Sequence, residues 1–468
     1  MRALVRTTPT AEQLPIISRN SYGVEVICGA AGSGKTSTAL MRLKSLIYMC
    51  DARHKRESID KPINVLVLTF NRTLSGYVKA LVDSQLDTDL KVDVEISTFA
   101  KWARRSINNG KICPEAKAES KIKELSAHII ALSPEYIVKE VDYLLGRFSI
   151  ADIENYIQYE RTGRGAVPRV ERTLRRELLD KVVYPYKQWL SEEGYIDWND
   201  LAVMMSNETQ SIGYDIVIVD EAQDFSANQL RAIKHHLSIE SSLTFVMDTV
   251  QRIYARGFTW SECGFDVRPG KVFQLRKNHR NTRQIANFAK HVLEGIAVED
   301  NGALPDLNAA SKDGDLPYIV NGNYLQQVDW AITFIKENID LSLESVAFLK
   351  PKGGAWFTTL KNKLNENSLP FVEITRDSEW PDGDENIALC TFHSAKGLEF
   401  DHVFILGLSG ENTACSEINI DDGLIVLQKL LAVAVARARL RVAIGQKIGE
   451  ESVLSAYFTD ALVQVVNL

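Results

Sequence analysis

Two groups of residues have the types and spacing that chemistry on a phosphoanhydride requires. The first is Gly29-Ala30-Ala31-Gly32-Ser33-Gly34-Lys35-Thr36, a complete GxxxxGK[ST] run. Its glycines let backbone N–H groups turn inward around phosphate oxygens. Lys35 supplies a charge for the β- and γ-phosphates, and the Thr36 hydroxyl is a ligand for Mg²⁺, with Ser37 next to it in the same turn. The second group is Asp220-Glu221, at the end of the apolar run Tyr214–Val219. One carboxylate there holds Mg²⁺ and the next stands beside the attacking water as general base. An apolar strand that ends in an acidic turn is common by itself. Paired with the glycine-rich loop, it specifies a site for ATP and Mg²⁺ and for ATP hydrolysis.

These groups need a scaffold that holds strand ends side by side. The loop follows an apolar run, Val24–Cys28, and opens a helical pattern over Thr36–Cys50 with apolar residues at Leu40, Leu43, Leu46 and Ile47. Similar short runs occur at Val65–Thr69, Val94–Ser97, Asp215–Val219 and Leu243–Met247. A second series follows at Val272–Leu275, Val346–Leu349, Ile387–Thr391, His402–Leu406 and Val442–Ile444. Short apolar strands alternating with helical patterns predict an α/β fold with parallel sheets flanked by helices. Residues from about 101 to 200 differ, being charged and helical in period, as in Lys121–Leu125 and Arg172–Lys181. They predict a helical insertion. The expected domains are therefore 1–100 with 201–270, the insertion at 101–200, and 271–468. Gly264–Gly270 sits near the join of the two sheet domains, and Asn301–Asp315 reads as a loop in the second.

The bulk numbers set limits. A chain of 468 residues holds two to four domains with ample core. It carries 54 Lys and Arg against 61 Asp and Glu, a net charge of −7. That argues against coating nucleic acid by bulk attraction, although a basic cleft on an acidic body remains open. None of the six cysteines lies in a metal-ligand spacing, so reduced core thiols are expected. No apolar run approaches the roughly 20 residues that span a bilayer, and the N-terminus lacks the apolar stretch of a signal peptide. The expectation is a soluble, cytoplasmic protein.

With further motifs in order, the sequence resembles the superfamily 1 helicases of the UvrD/Rep type. The resemblance runs from Gln13 through Asp220-Glu221-Ala222-Gln223-Asp224 to Arg439, nearly the whole chain. It implies two RecA-like P-loop domains with ATP between them. Gln13 would read the adenine edge. Leu68-Thr69-Phe70-Asn71-Arg72 and Ser97-Thr98-Phe99 resemble segments that meet single-stranded nucleic acid, so Phe70, Asn71, Thr98 and Phe99 are contact candidates. Phe70 and Phe99 are equally open to a core reading. Phe245–Tyr254 resembles the coupling motif, in which Gln251 would sense the γ-phosphate and Tyr254 would stack on adenine. Met247 stands where glycine is usual. Related proteins have a tryptophan platform soon after the tyrosine; here Ala255-Arg256-Gly257 occupies that place and Trp260 comes later.

In the second half, Leu275–Thr282 resembles an arginine motif with His279 in place of the usual tyrosine. Leu430–Arg439 resembles the last motif, with Ala432 and Ala436 where tyrosine and threonine are usual. Arg280 and Arg437 would then reach the γ-phosphate from the second domain, which makes hydrolysis depend on closure. Cys390–Phe400 implies that Glu399 bonds the ribose and His393 touches the nucleic-acid backbone. Tyr159–Gly165 looks like a basic loop of compact relatives, and Tyr195–Leu201 like the segment returning to the first sheet. About 110 residues separate Arg280 from Thr391, too few for the large helical insertion of bigger relatives. No fused nuclease is expected either.

The expected function is a single-stranded DNA translocase or helicase, stepping 3′ to 5′, in DNA repair or phage defence. The rival is a nucleotide-gated regulatory subunit that controls a partner, such as a nuclease or another effector of antiviral defence. An RNA-directed enzyme is the third reading.

Overall fold

Each short Val- and Ile-rich run forms a strand, being too short for a buried helix and suited to a pleated surface. The structure is a computed structural model. It describes residues 9–29, 33–69, 90–107, 110–159, 170–247, 258–275, 281–295, 312–350, 356–374, 383, 385–392, 394–395, 398–413 and 420–468.

In chain order the first strands are β1 (Gly23–Gly29), β2 (Ile63–Thr69), β3 (Val92–Thr98), β4 (Lys111–Ile112), β5 (Tyr195–Ile196), β6 (Tyr214–Val219), β7 (Leu237–Met247) and β8 (Val272–Leu275). They continue as β9 (Tyr318–Asn321), β10 (Val346–Lys350), β11 (Val372–Ile374), β12 (Ile387–Thr391), β13 (Phe400–Leu408), β14 (Ala438–Gln446) and β15 (Gln464–Asn467). One sheet has the order β3-β2-β6-β7-β1-β8 and another β11-β12-β10-β13-β14-β9-β15. Neighbouring strands in both are parallel. The α/β class with two parallel sheets agrees with the expectation of two RecA-like domains. One strand does not fall where the linear pattern put it. Val272–Leu275, expected to open the second series, is the outer strand of the first sheet, paired with β1. Membership of a sheet is decided by which edge is open to a strand, and local pattern does not carry that information.

Both faces of each sheet are covered, as parallel sheets require. In the first, Ile27, Val65, Val67, Ile216 and Ile218 pack against Leu40, Leu43 and Leu46 of the helix Lys35–Glu57. Their alternates Val26, Cys28, Leu66, Leu68 and Val219 pack against Trp102, Leu201 and Leu230 from three helices on the other face. The second sheet repeats this: Phe348, Leu389 and Phe404 face the helix Tyr324–Asn338, and Ala347, Cys390 and Ile405 face Phe288 and Leu431.

The helical region has a hydrophobic core of its own, built from residues between Cys113 and Leu190. The chain leaves and returns through the parallel pair β4–β5, with Cys113 N donating to Ile196 O at 2.9 Å. The helix Phe99–Ser106 belongs to the core of the first sheet. The described cysteines Cys28, Cys50, Cys113, Cys263 and Cys390 are buried free thiols. Among the described residues no helix is long and apolar enough to cross a membrane.

Candidate nucleotide site

Because the strands are parallel, their C-terminal ends share one edge of the sheet, where α/β folds place their ligands. β1 ends at Gly29 and β6 at Val219, with β7 between them. Two strand spacings amount to about 10 Å, so side chains must bridge the gap. A Cβ at Gly29 would lie 2.5 Å from Ser33 Oγ and 2.6 Å from Leu275 O, which excludes any side chain. Gly34 has φ 78°, a left-handed conformation that favours glycine, and a Cβ there would collide with the Gln13 amide. These two positions fold the loop back so that the helix starting at Lys35 points its first turn at the strand ends. Of that loop, Ala30, Ala31 and Gly32 lie outside the described residues.

The bridge is made by Thr36. Its hydroxyl stands 3.1 Å from both carboxylate oxygens of Asp220. Asp220 is buried, and its backbone N donates to Leu68 O at 2.9 Å. Burial is the main cause that pushes its carboxyl up to about 7; the adjacent Glu221 charge adds to this, while the Thr36 bond and Lys35 oppose it. Glu221 adopts φ 52°, a left-handed conformation that is costly for a non-glycine residue. Gln223, buried one turn on, donates through Nε2 to the Glu221 carboxylate. The carboxylate that the sequence marked as general base is thereby held by an orienting amide. Gln223 lay inside the quoted motif, and its burial was the missing signal.

The donor set fits a magnesium–nucleotide complex. Ser33 Oγ is buried with no hydrogen-bond partner among the described residues. Thr36 with Asp220 offers two hard oxygen ligands to one cation. A divalent cation would also supply the charge that buried Asp220 lacks.

Gln13 sits on this loop. Its Nε2 lies 3.5 Å from both Ser33 O and Gly34 O, and its Oε1 accepts from Thr10 N at 2.9 Å. In the second sheet the structure gathers three of the quoted motifs. Arg437 is buried and donates from Nε to Val433 O at 3.2 Å and from Nη1 to Leu398 O at 3.3 Å. Phe400 N returns a bond to Arg437 O at 2.9 Å, so the segments of Glu399 and Arg437 are tied together. Asn281 donates to Ala436 O at 3.1 Å and also to Ala438 O, clamping the turn that carries Arg437. Asn281 follows Arg280 directly, so the arginine motifs meet through it. Ser394 N donates to Thr391 Oγ1 at 3.1 Å.

Phe99 must be corrected as a contact candidate. Its ring is 6 % exposed and packs edge-on against Trp102 and Phe225, so it offers no face to a base. The apolar helix face it shares with Trp102 and Ala103 decides this. Thr98 caps that helix, accepting from Lys101 N at 3.3 Å. Phe70, Asn71, Gln251, Tyr254, Arg280 and His393 lie outside the described residues.

The sequence pattern of the UvrD/REP helicase N-terminal domain matches residues 10–259, more than half of the chain. The chain belongs to the UvrD/Rep helicase family. The UvrD-like helicase C-terminal domain matches residues 375–446. A probable DNA helicase of Mycoplasma pneumoniae is 23% identical over 453 residues, covering 89% of this chain and 79% of the relative. The ATP-dependent DNA helicase PcrA of Staphylococcus epidermidis is 25% identical over 320 residues, 63% of this chain and 41% of that protein. The helicase Rep of Buchnera aphidicola is 22% identical over 411 residues, 75% of this chain and 59% of its own length. The chain thus spans most of the first relative and about half of the other two.

Proposed function

We propose that this chain is an ATP-driven translocase on single-stranded DNA that steps 3′ to 5′ and acts as a helicase in DNA repair or phage defence. The observation that carries the reading is the Thr36–Asp220 bridge, which joins the glycine loop to the acidic strand end around a buried carboxylate. The relatives' names, all of them DNA helicases, supply the substrate class.

In this reading Lys35 and the loop amides of Gly29–Gly34, including Ala30, Ala31 and Gly32, hold the phosphates, with Ser37 beside them. Thr36 and Asp220 hold Mg²⁺, which when bound neutralises phosphate charge and fixes the γ-phosphoryl group. Glu221, steadied by Gln223, takes the proton of the attacking water. Gln251 senses the γ-phosphate, while Gln13 and Tyr254 hold the base and Glu399 the ribose. Arg280 and Arg437 reach the developing charge from the second sheet. Phe70, Asn71, Thr98 and His393 touch the strand. The units are proposed as residues 1–100 with 201–270, 101–200, and 271–468, with β8 lending its pairing and the helix Phe99–Ser106 its packing to the first.

The test is the ATPase rate of the full chain with and without single-stranded DNA, for wild type and Glu221→Gln. Strong stimulation by DNA is expected, and Glu221→Gln should keep ATP binding while losing about 10²- to 10⁴-fold in kcat. A wild-type rate unmoved by DNA would end this reading.

A further inference from the structure

Below the phosphate loop lies a cluster of charges that hydrolysis does not use. Glu25, in the middle of β1, is 1 % exposed, and so is Arg42, in the helix that follows the loop. Arg42 Nη1 lies 2.7 Å from Glu25 Oε2. The same guanidinium donates to Ile16 O at 3.1 Å and to Arg19 O at 2.5 Å. The other oxygen of Glu25 accepts from Ser21 Oγ at 2.7 Å and meets Arg19 Nε at 3.1 Å and Lys271 Nζ at 3.2 Å. One carboxylate therefore gathers the N-terminal segment, the loop helix and the start of β8.

A buried ion pair is a weak source of stability, because desolvation cancels much of its attraction. Geometry is the better account of it. Among the described residues before β1 there is one four-residue helix, Leu14–Ile17, in which Ile16 is the buried residue. So short a helix cannot hold itself: Ile16 O takes the backbone N–H of Arg19 at 3.3 Å, and the rest of its support must come from outside. Arg42 adds that support at the carbonyls of Ile16 and Arg19. Gln13 sits at the N-terminal end of this helix, and its amide lies against Ser33 and Gly34. Arg42 thus fixes the far end of the segment whose near end carries Gln13.

We infer that the Glu25–Arg42 pair is a positioning device for nucleotide-base selection, holding Gln13 at a set height above the phosphate loop. The inference rests on Gln13 reading the base, as proposed above. Glu25 aims the guanidinium, the guanidinium holds the carbonyls of Ile16 and Arg19, and these set the position of the Gln13 amide. Neither charged residue touches the nucleotide. Loosening the pair should spare the grip on the phosphates and weaken discrimination between adenine and guanine, whose edges present opposite donors and acceptors.

The test uses the full chain with magnesium and no DNA, and displaces a fluorescent ADP with ATP or with GTP. Wild type should prefer ATP, and Gln13→Ala should lose that preference. In Arg42→Met, ATP affinity should fall roughly tenfold while GTP affinity stays put, so KM for ATP rises and kcat holds. Arg42→Lys keeps a charge for Glu25 but cannot span both carbonyls, and should fall between the two. If Arg42→Met fails to fold, Glu25→Gln with Arg42→Met removes both charges together and serves in its place. Combining Arg42→Met with Gln13→Ala should add nothing further to the loss. Retained selectivity in a folded Arg42 variant, or additive losses with Gln13→Ala, overturns the positioning role alone. A wild type without preference for ATP overturns the reading of Gln13, and the inference with it.

Discussion

The chemical residues of the first sheet are under stress, and those of the second are at rest. At the end of β6, Asp220 is buried with its carboxyl pushed up to about 7, and Glu221 is held at φ 52°. Beside them Ser33 Oγ has no partner among the described residues. In the second sheet, Arg437 is equally buried, yet it donates to the carbonyls of Val433 and Leu398, and Asn281 braces the turn that carries it. Both sheets are parallel, with both faces packed, so the scaffold is not the source of the difference. It lies in which polar groups the chain satisfies by itself. The first sheet leaves a deficit that a cation and phosphates would fill. The second holds its buried arginine on backbone carbonyls that the chain itself supplies.

The largest effect expected from this contrast is on turnover. Arg437→Ala should lower kcat by about 10³-fold, the scale of a lost arginine at a transferring phosphoryl group, with ATP affinity changed less than about threefold. If single-turnover hydrolysis stays near the wild-type rate, the arginine is structural and the contrast collapses. Next in size is Phe99→Ala, which should cost about 3–5 kcal/mol in urea unfolding, as expected for an emptied core position. The volume-sparing Phe99→Leu should leave affinity for single-stranded DNA unchanged by fluorescence anisotropy; a marked loss there would restore the ring as a stacking platform.

A smaller effect concerns Asp220 and pH. Its carboxyl titrates higher in the folded chain than in the unfolded one, so the folded state binds the extra proton. Stability in the absence of nucleotide should therefore decline as pH rises from about 4 to about 7, and this contribution should level off above that. Asp220→Asn should raise the melting temperature at pH 8 by a few degrees and have little effect at pH 4. An equal gain at both values would show that Asp220 is not under electrostatic stress. The smallest signal is the proton itself. Binding of magnesium and ATP to wild type near pH 6.5 should release part of a proton, seen as a calorimetric enthalpy that depends on the buffer, and Asp220→Asn should lose this dependence.

Much of this was legible in the sequence because local chemistry fixed it. Gly29–Thr36 and Asp220-Glu221 carry their geometry in their residue types, and each expected strand is a strand. The short strands β9, β11 and β15 were not marked, since Tyr318–Asn321, Val372–Ile374 and Gln464–Asn467 are too brief to show a period. Phe99 was ambiguous because an aromatic after a strand end serves a base or a core equally well. Its neighbours Trp102 and Phe225 settle the matter, and Phe225 lies far along the chain. The links among Glu25, Arg42 and Lys271 were invisible for the same reason: three segments supply them.

The placement of β8 has a mechanical consequence. Leu275 is hydrogen-bonded into the first sheet and Asn281 into the second, and apart from the β4–β5 pair the described strands before this point belong to the first sheet and those after it to the second. Six residue steps reach at most about 20 Å when fully extended. This is a short leash. However the two sheets swing, the base of Arg280 stays within that radius of the strand beside the phosphate loop. The search for its target is confined to an arc before any ligand arrives.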